Sequence, residues 1–310
     1  MILTVTANAA IDKRYVAENF SVGSVNRVKS CAATAGGKGL NVSRAAKIAG
    51  EAVTATGFLG GHSGSFIEEY IQSEGIESEF VWCSGESRSC INIWDETNKT
   101  QTEFLEPGFS INGQDMDRLE ERFNHLVGGC SIVTISGSIP TGGSGDIYRR
   151  LMESARRCGK RVILDTSGKL LEECITYQPF MIKPNMDEIQ MLTGREIVSR
   201  EDLLQAASGL HRRGIRVVVI SRGAEGAVIS SEEGAFEARV PRIEAVNTVG
   251  CGDSMTAGFA AGFSRGLAVA ECIRLASAIS AASAMRMETG YFLKQDMEAL
   301  LPRIEVHQIA

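Results

Sequence analysis

Short apolar, β-prone runs separated by amphipathic stretches recur along most of this chain, and that alternation restricts the fold more than any single motif does. Residues 3–7, 53–58, 132–136, 161–165 and 216–221 read as strands, and residues 38–49, 63–73, 145–157 and 200–212 read as the helices between them. A strand followed by a helix and another strand returns in the same direction. The expected architecture is therefore α/β: a central, mostly parallel sheet covered by helices on both faces. With 310 residues, 44% of them hydrophobic, the chain can bury one large core.

Two early segments break this rhythm. Residues 15–16, 25–28 and 90–94 are β-prone but lack helical partners, so they read either as a small separate sheet or as solvent-facing hairpins. On the first reading the chain divides into a main body, 1–12, 33–86 and 106–310, and a discontinuous β lid, 13–32 and 87–105. A sheet projecting over a cleft can exclude water and position a substrate.

The 32 Lys and Arg residues are outnumbered by 38 Asp and Glu, for a formal charge of -6, and no extended basic block occurs. Nucleic acid and anionic membrane are accordingly not the expected partners. Eight scattered cysteines form no CxxC pair, which favours reduced thiols. The opening Met1-Ile2-Leu3-Thr4-Val5-Thr6 has neither the basic region nor the apolar run of a signal peptide and reads as an edge-to-core strand, so a cytoplasmic protein is expected.

The chemistry-bearing segment is Gly250-Cys251-Gly252-Asp253-Ser254, placed just before the apolar run 255–263. A glycine-rich turn opening a helix offers unpaired backbone N–H groups to an anion. With Asp253 in the same turn to accept a proton, the combination suits phosphoryl transfer. Gly-Asp-Ser is also an ordinary turn and N-cap signature.

Other polar groups are grouped at the ends of the expected strands. Asn8 and Asp12 follow the first strand, and Gly36-Gly37-Lys38-Gly39-Leu40-Asn41 allows close backbone approach, with Asp12 and Asn41 able to discriminate sugar hydroxyls. The Lys38 ammonium can face a phosphate or solvent. Arg27 and Arg88 carry guanidinium forks that suit phosphate oxygens, although an isolated arginine is more often a surface charge. In Lys183-Pro184-Asn185-Met186-Asp187-Glu188, Asn185 and Glu188 share a helical face and can organise Mg²⁺ through water, or Glu188 can simply complement the helix dipole. Ser221-Arg222-Gly223-Ala224-Glu225-Gly226 is a turn able to approach nucleotide, or a plain hairpin. The spacing of Gly36-Gly37-Lys38-Gly39 is not that of a dinucleotide turn, which argues against an NAD-dependent dehydrogenase.

In their order along the chain, Thr4-Val5-Thr6-Ala7-Asn8-Ala9-Ala10-Ile11-Asp12, Gly36-Gly37-Lys38-Gly39-Leu40-Asn41, Asp165-Thr166-Ser167-Gly168, Lys183-Pro184-Asn185-Met186-Asp187-Glu188 and Gly250-Cys251-Gly252-Asp253 resemble the ribokinase-like sugar kinases of the phosphofructokinase B group. The resemblance implies a three-layer αβα domain with a small β lid, ATP and Mg²⁺ as cofactors, and a ketohexose monophosphate as substrate. Asp253 would be the general base, with Gly250, Cys251 and Gly252 completing the anion hole. Asp12, Gly36, Gly37, Lys38 and Asn41 would engage the sugar, and Arg27 and Arg88 its phosphate. Lys183, Ser221, Gly223, Gly226, Gly250 and Gly252 would face ATP, and Asn185 and Glu188 would hold Mg²⁺ through water. A homodimer through the lid is expected by the same analogy.

The chain departs from the group's pattern in having Ala9 after Asn8 and Cys251 in the glycine turn. Cys90-Ile91-Asn92-Ile93 after Arg88 looks more like the tagatose 6-phosphate branch than the fructose 1-phosphate branch. The expected reaction is ATP-dependent phosphorylation of D-tagatose 6-phosphate to the 1,6-bisphosphate. The alternatives are phosphorylation of fructose 1-phosphate and a non-catalytic sugar-phosphate-binding protein.

Overall fold

The computed structural model describes residues Met1–Ala310. Its first third runs β1 (Ile2–Thr6), β2 (Ala10–Ala17), β3 (Ser30–Gly36), α1 (Lys38–Ile48), β4 (Val53–Leu59), α2 (Gly61–Ser73), β5 (Glu77–Ser78), β6 (Val81–Trp82), β7 (Arg88–Asp95) and β8 (Thr100–Leu105). The middle continues through α3 (Gly113–Val127), β9 (Ile132–Ser136), α4 (Asp146–Arg157), β10 (Arg161–Asp165), α5 (Gly168–Ile175), β11 (Met181–Ile182), α6 (Met186–Thr193), α7 (Arg200–Arg212) and β12 (Val217–Ser221). The last third adds β13 (Ala227–Ser231), β14 (Gly234–Arg239), α8 (Cys251–Ser264), α9 (Val269–Ala284), α10 (Lys294–Leu300) and β15 (Glu305–Gln308).

The main sheet has the order β15-β14-β13-β12-β11-β10-β9-β1-β4-β5, with β6 also paired to β4. From β12 to β5 every pairing is parallel, and β13, β14 and β15 close one side antiparallel. Alternation along the strands divides the core into two. Ile2, Val53 and Ile132 pack with α1, α2, α8, α9 and α10 on one face, and Leu3, Val5 and Val133 pack with α3 to α7 on the other. The result is the expected three-layer αβα arrangement. One expectation changes: β1 is an interior strand between β4 and β9 with all five residues buried, because its apolar side chains serve both cores.

That placement locates the crevice. The chain leaves β1 for β4 on one side and later returns to β9 on the other, so a cleft opens beyond the C-terminal ends of β1 and β9.

Over that cleft stands a second sheet of order β3-β2-β7-β8. Pairing begins at Ala10 and ends at Gly36, so Asp12 lies within the small sheet, opposite Thr34 on β3 and Cys90 on β7. Residues 25–28, expected as strand, form an exposed loop instead. Asn26 is the reason: its side chain accepts from Ser21 N at 2.9 Å and donates to the Ser21 and Ser24 carbonyls at 2.8 and 3.2 Å, closing a local turn that competes with a ladder. No helix of the structure is long and apolar enough to cross a membrane.

Helix α8 lies against α9 at near backbone contact, since a Cβ on Gly258 would be 2.4 Å from Ala276 Cα. Replacing Gly258 with valine should therefore force the helices apart. The expected loss of stability is about 1–3 kcal/mol or more, read as a lower thermal midpoint; an unchanged midpoint would show that the pair can slide without cost.

Candidate active site

Helix α8 starts where the geometry permits only a residue without a side chain. Gly250, its N-cap, has φ 77°, and a Cβ there would fall 2.3 Å from Thr289 Cγ2. The first-turn amides of Gly252 and Asp253 have no acceptor in the chain, and Ser254 N returns to Gly250 O at 2.9 Å. Two free donors thus remain at the positive end of a helix, at the wall of a cavity of about 1020 Å³.

Asp253 is buried in the same turn and accepts a hydrogen bond from Asn41 Nδ2 at 2.9 Å. The Asn41 amide is oriented by Arg44, whose Nη1 donates to Asn41 Oδ1 at 3.4 Å and to Thr289 O at 3.0 Å. Burial pushes the Asp253 carboxyl up to about 6 against the pull of Lys38, Asn41 and Lys183, with Asp165 adding to the rise. A carboxylate with this value is ionised at neutral pH yet basic enough to take a proton.

Behind it, Asp165 at the end of β10 gathers three partners. Lys38 Nζ lies 3.1 Å from Oδ1, Lys183 Nζ lies 3.3 Å from Oδ2, and Thr256 Oγ1 donates to Oδ2 at 3.1 Å. Burial opposes the Asp165 charge, but Lys183 and Lys38 outweigh it and hold its pKa below the usual carboxylate value. Attraction to Asp165 in turn keeps Lys38 protonated. Lys183 rests beside the anion turn, since a Cβ on Gly252 would meet its Nζ at 3.1 Å.

The small sheet supplies the facing wall. Asp12 lines the cavity, and Gly36 lies behind it, where a Cβ would collide with the Asp12 carboxyl at 2.0 Å. Burial lifts Asp12 to about 6, tempered by Arg44 and Arg88. Arg88 donates from Nε to Asn8 O at 3.2 Å and from Nη1 to Glu106 O at 3.0 Å. Gly37, with φ 98°, caps α1 and turns Lys38 and Asn41 towards the same space.

At the opposite end, Asn185 and Ser221 form an isolated parallel bridge, and Ser221 N donates to Pro184 O at 3.1 Å. Asn185 and Glu188 form a reciprocal capping box, at 2.8 and 2.9 Å, so their spacing first serves the start of α6. Both still line the cavity with Ser221, Gly223 and Gly226. Arg222 fixes the turn by donating to buried Glu237 at 2.9 Å, and Arg200 and Arg239 hold the other Glu237 oxygen at 3.1 and 3.2 Å. These guanidiniums keep Glu237 ionised, below the usual carboxylate value, although burial opposes its charge.

The cavity therefore unites Asp12, Gly37, Lys38, Asn41, Arg88, Lys183, Asn185, Glu188, Ser221, Gly223, Gly226, Gly250, Cys251, Gly252 and Asp253. It does not include Arg27, which sits on the exposed loop 21–29, so within one chain Arg27 and Arg88 do not meet at this cavity. Gly36 acts from behind Asp12 rather than at the surface. Asn8 turns away and braces the Pro107 carbonyl and Ser138 hydroxyl, both at 3.2 Å. Burial first and Asp253 second push the Cys251 thiol up to about 12, leaving it a neutral, compact neighbour of the anion turn.

Sequence reasoning missed the roles of Asp165, Thr256 and Arg44. An acid closing an apolar strand was the available signal for Asp165, and the three-residue step from Asn41 was the signal for Arg44. The wall formed by Val240, Ile243, Ala281 and Ala284 carried none, because small apolar residues in the C-terminal third read as packing. Asp165→Asn should leave Lys183, almost fully buried, without its counter-charge. A loss of about 3–5 kcal/mol in denaturant unfolding is expected; an unaltered midpoint would mean the cluster is relieved by solvent.

Three comparisons bear on this geometry. Residues 3–296 match the pfkB family of carbohydrate kinases. The whole chain is 36% identical over 312 residues to all of the tagatose-6-phosphate kinase of Staphylococcus epidermidis. Among solved structures, phosphofructokinase-2 from Escherichia coli in complex with fructose-6-phosphate superimposes with a TM-score of 0.90 at 25% identity, covering 97% of this chain and 98% of that one. A Thermotoga maritima protein described as a possible 1-phosphofructokinase gives 0.89 at 29% identity and covers both chains completely. The chain belongs to the pfkB carbohydrate kinase family and is an ATP-dependent sugar-phosphate kinase, which removes the non-catalytic reading.

Proposed function

We propose that this pfkB-family kinase transfers the γ-phosphoryl group of ATP to the C1 hydroxyl of D-tagatose 6-phosphate, giving ADP and D-tagatose 1,6-bisphosphate. One observation carries the choice of sugar: the 36% identity with a tagatose-6-phosphate kinase runs from end to end of both chains. The cavity supports the chemistry, with an acceptor side at Asp12 and Asn41, a nucleotide side at Ser221 to Gly226, and the α8 start between them.

In this reading the Asp253 carboxylate accepts the C1 hydroxyl proton as that oxygen bonds to the γ-phosphorus and the bond to the ADP oxygen breaks. The Gly252 and Asp253 amides and the Lys183 ammonium stabilise charge on the transferring group, and Asp12 and Asn41 hold the sugar. Asp165 keeps Lys38 ionised and holds Lys183 in place through their ion pair. Glu188 presents a carboxylate to the cavity, a hard oxygen donor suited to Mg²⁺, and no cluster of three His, Cys, Asp or Glu side chains offers a closed cage. Asn185 and Glu188 would hold the ion together with water and nucleotide oxygens. When bound, Mg²⁺ neutralises phosphate charge.

A homodimer through the small sheet is part of the proposal, because Val22, Val25 and Phe104 are 90, 82 and 54% exposed there. Charging that surface with Val25→Asp and Phe104→Asp should halve the mass measured by light scattering; a monomeric parent protein would remove the dimer.

Initial rates with tagatose 6-phosphate and fructose 1-phosphate, at equal subsaturating concentrations with ATP and Mg²⁺, test the substrate. Preference for fructose 1-phosphate, the activity named for the Thermotoga relative, would reverse the assignment. Asp253→Asn should lower kcat by roughly a hundredfold or more while the sugar KM changes only a few-fold, and near-normal turnover would dismiss the base. Because Asp253 and Asp12 are both raised to about 6, they hold protons below that value, and kcat/KM should fall as pH drops through it. A profile flat from neutral to about pH 5 would contradict the assignment of these two carboxylates.

A further inference from the structure

A kinase for a sugar that already carries phosphate needs a cation at the acceptor end, and most cations near this cavity are occupied. Lys38 and Lys183 share Asp165. Arg88 commits Nε and Nη1 to backbone carbonyls. Arg44 is buried, with Nε on Glu74 and Nη2 on the Ala35 carbonyl at 2.7 Å. Arg242 belongs to the 240–247 segment beside the C-terminal helices rather than to the small sheet.

Arg14 is different. It lies on β2 two residues beyond Asp12, so strand alternation puts both side chains on one face of the small sheet, where both line the cavity; Lys13 between them also borders the cavity, but its side chain alternates to the opposite face from Asp12. Arg14 stands in register with Ala32 on β3 and Asn92 on β7, one row further out than Thr34, Asp12 and Cys90. The small side chain of Ala32 leaves space on one side. The guanidinium has one partner, the Met287 thioether, with Nη2 to Sδ at 3.4 Å. Sulfur is a weak acceptor, and no carboxylate or carbonyl engages this fork. A cavity-facing arginine is thus held by a contact that any phosphate oxygen would displace.

We propose that Arg14 recognises the phosphate already present on the acceptor and thereby makes that phosphate a requirement. The inference rests on the sugar-phosphate reading above. The two-residue step from Asp12 to Arg14 is roughly 7 Å along the strand, comparable to a hexose carbon chain. A ketohexose with one end at Asp253 and its hydroxyls at Asp12 extends its other end to the Arg14 row. There the planar fork can pair two phosphate oxygens, in exchange for one sulfur.

The test compares kcat/KM for tagatose 6-phosphate with that for tagatose in the full-length protein and in Arg14→Ala, Arg14→Gln and Arg14→Lys. The Ala and Gln variants should lower the preference for the phosphorylated sugar by at least about tenfold, mainly through its KM, with the ATP KM unchanged. Arg14→Lys should recover part of the preference. Met287→Leu, which removes only the resting contact, should leave it intact. A purely structural Arg14 would lower both sugars equally, and an unchanged ratio in the Ala and Gln variants overturns the proposal while the proposed function stands. A parent protein that phosphorylates neither tagatose 6-phosphate nor fructose 1-phosphate overturns the underlying reading and this proposal with it.

Discussion

The Asp165 carboxylate ties the layers of the molecule together where the chemistry occurs. It closes a central strand, receives Lys38 from α1, Lys183 from the loop after β11, and Thr256 from α8. A carboxylate so deeply buried is costly unless its charge is answered, and here two ammonium groups and a hydroxyl answer it. The arrangement fixes more than charge. The Thr256 hydroxyl also lies 3.1 Å from Gly252 O, so its single proton is shared between Asp165 and the first turn of α8. The donors of that turn are preorganised by the sheet below them rather than by the ligand.

Two carboxylates from opposite ends of the sequence, Asp12 on β2 and Asp253 on α8, meet in one cavity under opposing influences. Both are raised by burial; the Asp253 charge adds to the rise of Asp12, and the Asp165 charge adds to that of Asp253. Arg44 moderates this from beneath, orienting Asn41 towards Asp253 and drawing on Asp12 electrostatically. The site therefore keeps basic oxygens in a low-dielectric space without letting them become permanently neutral, a balance suited to proton acceptance at neutral pH.

Much of this was legible in the sequence because the signals were local. The strands at 132–136 and 161–165 and the helix at 200–212 match the structure residue for residue, since apolar periodicity and capping agree there. The glycine turn before α8 was equally readable, as Gly250 needs a backbone region closed to other residues. The rest depends on where the chain brings each residue in space. Arg27 looked like a companion of Arg88, yet local turn bonds around Asn26 hold its loop in solvent. For Asn185 and Glu188 one spacing serves both a metal-helper and a helix-start role, and the sequence alone does not separate the two; the structure shows the capping box. Asp165 was noticed as a motif, but its partners come from positions 38, 183 and 256, which no spacing rule connects.

The small sheet enters the packed interior through few residues, Ile11 and Ala35 among them, while the Arg14 row faces the cavity and reaches the C-terminal part of the chain through the Met287 thioether. The Arg14 row is outside both hydrophobic cores. Acceptor choice is thereby physically uncoupled from the phosphoryl-handling floor, and a lineage built on this scaffold can drift from one sugar to another by editing four strands while its stability and its nucleotide chemistry are inherited intact.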